Sequence, residues 1–209
     1  MKSNKLWATF VLLLCFFEQS FAQEQVSAQS NNKPKRVFED YYIGAYRFKS
    51  RNNWVLFGFG PNVKPSLPNF TNANMELSFN YYDHLDRLWQ LSYQASTLNY
   101  LAFGGATVYL NAFNVGRGKV IEKQYYKIAA FAGPSLVYTN YYPFDSTKTI
   151  NQDKSFGLGI QGQIQFIIKP VYDFGISISP FVNINTVQSV AGITLSIYGS
   201  NAMERKINY

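Results

Sequence analysis

The amino-acid sequence predicts an all-β fold: a closed antiparallel up-and-down barrel of about eight strands. Three observations lead there. The first is strict alternation. From Phe156 to Ile168 the even positions read Phe156, Leu158, Ile160, Gly162, Ile164, Phe166 and Ile168, while the odd ones carry Gly157, Gly159, Gln161, Gln163, Gln165 and Ile167. A period of two is the mark of a strand with one apolar and one polar face. The second is the near absence of charge on the polar face. The third is the alternation of short and long connections along the chain.

In order, Met1–Ala22 reads as a secretory signal peptide, with Lys2 and Lys5, an apolar run from Leu6 to Phe17, and Ser20-Phe21-Ala22 before the cut. The run is too short for a membrane-spanning helix. Lipidation at Cys15 is disfavoured, because bulky Leu14 stands where a small residue is wanted and Phe16-Phe17 continue the apolar core. Cleavage after Ala22 removes the only cysteine, which excludes disulfides and cysteine-based chemistry. Residues 23–50 read as a flexible leader rich in Gln, Ser and Asn; its Lys33-Pro34-Lys35-Arg36 cluster reads as solvated linker, and Tyr41–Lys49 has only partial strand character.

Residues 51–198 are predicted as the barrel and 199–209 as a tail. The first strand is Trp54–Pro61, with Val55, Phe57 and Phe59 on one face. After an Asn62–Asn72 loop, the second sets Met75, Leu77, Phe79 and Tyr81 against Asn74, Glu76, Ser78 and Asn80. Asp83–Asp86 turns into a third strand with Trp89, Leu91 and Tyr93 on its apolar side. A Ser96–Gly105 loop, a weaker strand over Ala106–Val115 and a return over Gly116–Lys123 precede the fifth strand, Tyr125–Tyr138. The longest polar loop, Tyr141–Lys154, leads to three final strands joined at Lys169–Val171 and Asn185–Gln188.

Alternation alone does not separate a membrane barrel from a soluble one. Composition does. Charged residues make up 15% of the chain and aromatics 18%, whereas soluble domains carry about 25% charge. The polar face holds Gly, Ser, Thr, Gln and Asn, with Glu76, Lys127 and Asp173 as exceptions, which suits a narrow filled interior better than bulk water. Trp54, Tyr81, Tyr82, Tyr126, Tyr138, Tyr141, Tyr142, Tyr172 and Tyr198 gather at strand ends, where interfacial girdles lie. In hydrocarbon every backbone group must be paired, so strands survive there only in a closed barrel. The transmembrane reading requires Leu158, Ile160, Ile176 and Leu195 to point outward and Gln161, Gln163 and Ser177 inward; the reverse would describe a soluble lipocalin-like ligand carrier. Pro134 and Pro180 fall inside strands, near the outer rim of the apolar band, where a bulge can be tolerated.

With its signal peptide, this alternation and the loop pattern, the stretch Trp54–Tyr198 resembles the small outer-membrane β-barrel superfamily of Gram-negative bacteria. The resemblance implies location in the outer membrane, contact with its lipids, and insertion by the barrel-assembly machinery. Members commonly end on a strand with a C-terminal aromatic. Here Tyr198 is followed by a polar tail before Tyr209, so either an added strand makes ten or the tail hangs free.

Some such barrels are lipid-modifying enzymes, which would need a nucleophile and base near the outer leaflet. The single histidine, His84, falls in a turn on the periplasmic side, and Asp145 and Asp153 read as solvated loop carboxylates. No catalytic set, cofactor or metal site emerges, and the net charge of +7 is scattered rather than clustered, so nucleic-acid binding is not expected. Eight strands enclose an interior that side chains can fill, so no diffusion pore is expected. The expected function is a structural or surface-interaction role, with Phe70, Tyr100, Phe103, Tyr141, Tyr142 and Phe144 in outer loops as recognition candidates for an unidentified surface ligand or envelope protein.

Overall fold

The computed structural model describes residues 41–43, 46–49, 51–64, 67–98, 107–142, 153–171, 173–201 and 203–205. The expected signal peptide and the leader up to residue 40, with Lys33–Arg36, lie outside the described residues. The strands are β1 (Tyr41–Ile43), β2 (Tyr46–Phe48), β3 (Trp54–Lys64), β4 (Leu67–Tyr82), β5 (Leu88–Leu98), β6 (Thr107–Glu122), β7 (Tyr126–Tyr142), β8 (Asp153–Val171), β9 (Phe174–Asn185), β10 (Val190–Ser200) and β11 (Met203–Arg205). Strands β3 to β10 each pair antiparallel with the next, and β10 returns to β3 with Ser196 opposite Gly58 and Tyr198 opposite Leu56, so the eight form a closed barrel. Closure leaves no unpaired sheet edge.

The faces are as the alternation requires. Leu158 is 70% exposed and Leu195 59%, whereas Gln163 is 3% exposed and Ser177 0%. Ile160 and Ile176 also point outward, and Gln161 inward. Apolar side chains therefore clothe the outside of the barrel and polar ones fill it, the inverse of a soluble ligand carrier.

The turns at Asp83–Arg87, Lys123–Tyr125 and residues 172–173 lie at the end where β3 begins and β10 stops, called here the base; the opposite end is the rim. At the base, Asp83 Oδ1 accepts the backbone N–H of Leu85 and of Arg87, both at 2.9 Å, and its Oδ2 accepts Trp89 Nε1–H at 3.0 Å. Asp86 takes the left-handed conformation there, with φ of 59°, which Asp tolerates in turns. At the rim, Asn185 Oδ1 accepts the N–H groups of Val187 (3.0 Å) and Gln188 (2.6 Å), a side-chain-built turn.

Several predicted boundaries change. The Asn62–Asn72 stretch is not a loop: β3 and β4 pair up to Lys64 opposite Leu67, with a register shift after Asn62 that absorbs the irregularity. Nor is Gly116–Lys123 a return, because β6 runs through it to Glu122. The weak alternation of β6 has a cause: its inward Leu110 and Ala112 join Val137, Phe181 and Val190 in an apolar layer within the barrel near the rim. The prolines do not make bulges. On the Pro134 side the β6–β7 ladder lapses between Asn114/Ser135 and Arg117/Ala132 and resumes in the same register, and the β8–β9 ladder does the same beside Pro180. Losing one donor on one side costs less than shifting a register that sorts every side chain between the two faces.

The described part of the tail takes a course of its own. β11 pairs with β2, opposing Met203 to Phe48 and Arg205 to Tyr46, in a three-stranded sheet β1-β2-β11 separate from the barrel. Among the described residues, Met203–Arg205 is thus neither a further barrel strand nor unpaired; Tyr209, the expected end of an added strand, lies outside the described residues.

Candidate functional site

The six rim aromatics divide. Phe70 lies in β4, and Tyr141 and Tyr142 are the last residues of β7, so these three stand on strands rather than in loops. Longer pairing explains the difference: Val108 opposes Tyr141, and Thr107 opposes Tyr142. Their side chains, like Tyr100, Phe103 and Phe144 as a whole, lie outside the described residues.

The interior is built from amides and hydroxyls that reach across strands. Gln163 donates to Glu76 Oε1 at 2.6 Å while its own Oε1 accepts Gln90 Nε2–H at 2.6 Å. Trp54 Nε1–H donates to Gln165 Oε1 at 3.1 Å, and Gln165 in turn donates to Gln163 at 3.4 Å. The donors of this relay run head to tail toward the Glu76 carboxylate, so the amide dipoles all present their positive ends to it. Nearer the rim, Asn183 donates to Ser135 Oγ at 2.7 Å and to Asn114 Oδ1 at 3.3 Å. Such ties fix strands on opposite walls and fill the lumen.

At the base the lumen holds a charged cluster. Lys127 Nζ is 2.8 Å from Asn52 Oδ1, 3.3 Å from Glu122 Oε1, and 3.9 Å from the centre of the Trp54 ring. Lys169 Nζ reaches the same Glu122 oxygen at 2.7 Å. Trp54 and Tyr198 are both buried, with Leu56, Leu88, Phe131 and Ile167 packed around them. Trp54, Tyr82 and Tyr198 were expected in an interfacial girdle; Trp54 and Tyr198 instead point into the lumen, and Tyr82 packs against their cluster. Their positions in the alternation already put them on the inward face, which strand-end location alone does not reveal. Glu122 and Lys169 were not singled out because the strands were taken to stop short of both.

The only histidine, His84, is exposed in the base turn. Among the described residues no group of His, Cys, Asp and Glu could hold a metal ion. No helix among them is long and apolar enough to cross a membrane, which says nothing of a β-barrel.

No family model and no curated protein matches the sequence. Solved structures do. The crystal structure of Ail, the attachment invasion locus protein of Yersinia pestis, aligns with a TM-score of 0.53 at 11% identity over 72% of this chain and 99% of that one. The same protein in complex with the heparin analogue sucrose octasulfate aligns at 0.54, again with 11% identity, 72% and 99% coverage. Neisserial surface protein A gives 0.49 at 15% identity, covering 76% of this chain and 97% of that one. The closed eight-strand barrel, with its apolar outside and polar filled lumen, is the fold of the small outer-membrane β-barrel proteins.

Proposed function

We propose that the chain is an integral outer-membrane β-barrel with a structural or surface-interaction role and no catalytic activity. The observation that carries this reading is the sorting of side chains: a largely apolar exterior over a lumen packed with polar groups. In water the exterior would be a large exposed apolar surface; in a bilayer it is the face such a barrel needs. The exposed His84 at the base, far from any outer-leaflet substrate, favours a non-catalytic role.

Recognition is assigned in this reading to the rim, the end for which the sequence predicts the longer connections and the aromatic candidates. That the Yersinia attachment protein is found with a heparin analogue makes sulfated polysaccharide a reasonable first ligand to assay. Heat-modifiable migration on a gel, resistance of the barrel to external protease and retention in membranes through carbonate washing are the expected results. Release by carbonate or high salt would overturn the membrane reading. Lipid modification by the wild type that His84→Ala abolishes would overturn the non-catalytic one.

A further inference from the structure

Glu76 stands in the middle of the lumen without a counter-charge. The residue is 1% exposed, and only one of its carboxylate oxygens is bonded. Oε1 accepts Gln163 Nε2–H at 2.6 Å, while Oε2 is buried with no hydrogen-bond partner. Lys127 and Lys169, also inside the barrel, both belong to Glu122 at the base. Among the described residues no Lys, Arg or His pairs with Glu76. A carboxylate buried in this way is costly unless a positive charge meets it.

The side chains around that oxygen are short of partners too. Gln94 opposes Glu76 on β5, and its Nε2 is unbonded. On β8, Gln161 is the next inward residue from Gln163 toward the rim, and neither end of its amide has a partner. Ser196 Oγ, equally unpartnered, reaches the same space by way of a glycine. Gly58 on β3 opposes Glu76 on one side and Ser196 on the other. A Cβ there would collide with Ser196 Oγ, so the hydroxyl leans over bare backbone toward β4. Buried side chains of β4, β5, β8 and β10 thus bring unbonded polar atoms to one level of the lumen.

We propose that this level of the lumen binds one alkali-metal cation, held by Glu76 Oε2, the Gln161 amide oxygen and Ser196 Oγ. Charge sets the valence. One carboxylate among neutral groups balances a single positive charge, and a divalent ion would stay partly uncompensated in a dry interior. The donors suit a hard cation, which takes carboxylate, amide and hydroxyl oxygens. One acid with neutral oxygens is a different set from the His, Cys and acid groups that hold transition metals. With neither end bonded, the Gln161 amide is able to turn its oxygen to the ion, and Gln94, which flanks the carboxyl, has a further lone pair there to donate to. The apolar layers of Trp54 and of Phe181 lie on either side of this level, so the ion enters as the barrel closes.

The site goes beyond the surface role proposed above and needs only the closed barrel, so either can fail without the other. The protein is refolded into phosphatidylcholine vesicles in sodium, potassium or N-methylglucamine chloride at one ionic strength. Urea midpoints are read by tryptophan fluorescence, and the alkali metal kept after desalting is counted by atomic emission. A ligand bound only by the folded state raises the midpoint. The wild type should therefore be more stable in sodium or potassium chloride than in N-methylglucamine chloride, and should keep one alkali ion per barrel. Glu76→Gln, close in shape but without the charge, should lose both the salt dependence and the ion. Ser196→Ala leaves the carboxylate in place and should show a smaller midpoint difference; it carries the test if Glu76→Gln does not fold. Equal wild-type midpoints in the three salts, no retained ion, or an undiminished alkali dependence in either variant overturns the site. So does a carboxylic-acid C=O band in the infrared spectrum of the sodium-refolded wild type that Glu76→Gln removes, because a proton would then neutralise Glu76.

Discussion

Lys127 lies between a carboxylate and two aromatic faces, with Trp54 at 3.9 Å and Tyr198 at 5.6 Å from its Nζ. Two ammonium groups share one Glu122 oxygen, so the carboxylate is the member the cluster can least spare. Glu122→Gln leaves Lys127 and Lys169 facing each other without an anion and should destabilise the barrel by about 3–5 kcal/mol. Lys127→Met keeps the Lys169–Glu122 pair and loses mainly the charged bond to Asn52, which is worth about 1.5–3 kcal/mol. Urea unfolding of protein refolded into vesicles, followed by tryptophan fluorescence, orders the two; a larger loss for Lys127→Met would refute this account. The cluster was half legible in the sequence. Lys127 stood out as a charge on a polar face, but the other members of the cluster come from β6, β8 and the segment leading into β3, and period-two alternation does not encode which residues of distant strands share a level.

At the scale of the strand, glycine misled the sequence reading. Gly116 and Gly118 look like turn residues, yet both face the lumen beneath the Phe131 ring, and a Cβ on Gly116 would lie 3.3 Å from Phe131 Cβ. They are the hollow that an inward aromatic fills. Gly118→Val should therefore cost about 1–3 kcal/mol by overpacking, and Phe131→Ala in the same chain should recover part of it; additive losses in a double-mutant cycle would refute the pairing. The Asp83 turn, legible as a turn though not as a set of bonds, gives a pH prediction. Slight desolvation raises the Asp83 carboxyl, but the bonds from Arg87, Trp89 and Leu85 outweigh it and hold the group below its ordinary 3.8. A depressed folded value means the turn's contribution is full above the ordinary value and fades as the pH falls through the lower one. Wild type should thus lose stability on acidification over that range more than Asp83→Asn does, as read by urea midpoints across a pH series. The long β3–β4 hairpin escaped notice for a similar reason: Asn62, Asn72 and Pro61 are loop formers, but here both asparagines are buried inward residues of paired strands.

For the whole molecule, the architecture was legible because membrane and lumen impose opposite demands on alternate residues. The filling of the lumen was not. Glu76 meets Gln163 across 87 residues of sequence, a contact set by how the sheet staggers as it closes. A polar middle lies between the Trp54–Tyr198 layer at the base and the Leu110–Phe181 layer near the rim. With both apolar layers in place, planar bilayers containing the protein should show no large, stable conductance steps; sustained nanosiemens-scale channels would contradict the packed interior.

The sheet that joins β2 to β11 brings the segments before and after the barrel side by side. Because Met203–Arg205 lies beside Tyr46–Phe48, a chain trimmed to these segments could be closed by a short covalent linker without disturbing any of the eight pairings. New ends could then be cut in the 143–152 connection, giving a circular permutant whose native strands and register are retained. In such a permutant β10 and β3 become interior neighbours in sequence, so the seam between the earliest and latest barrel strands would be a local hairpin.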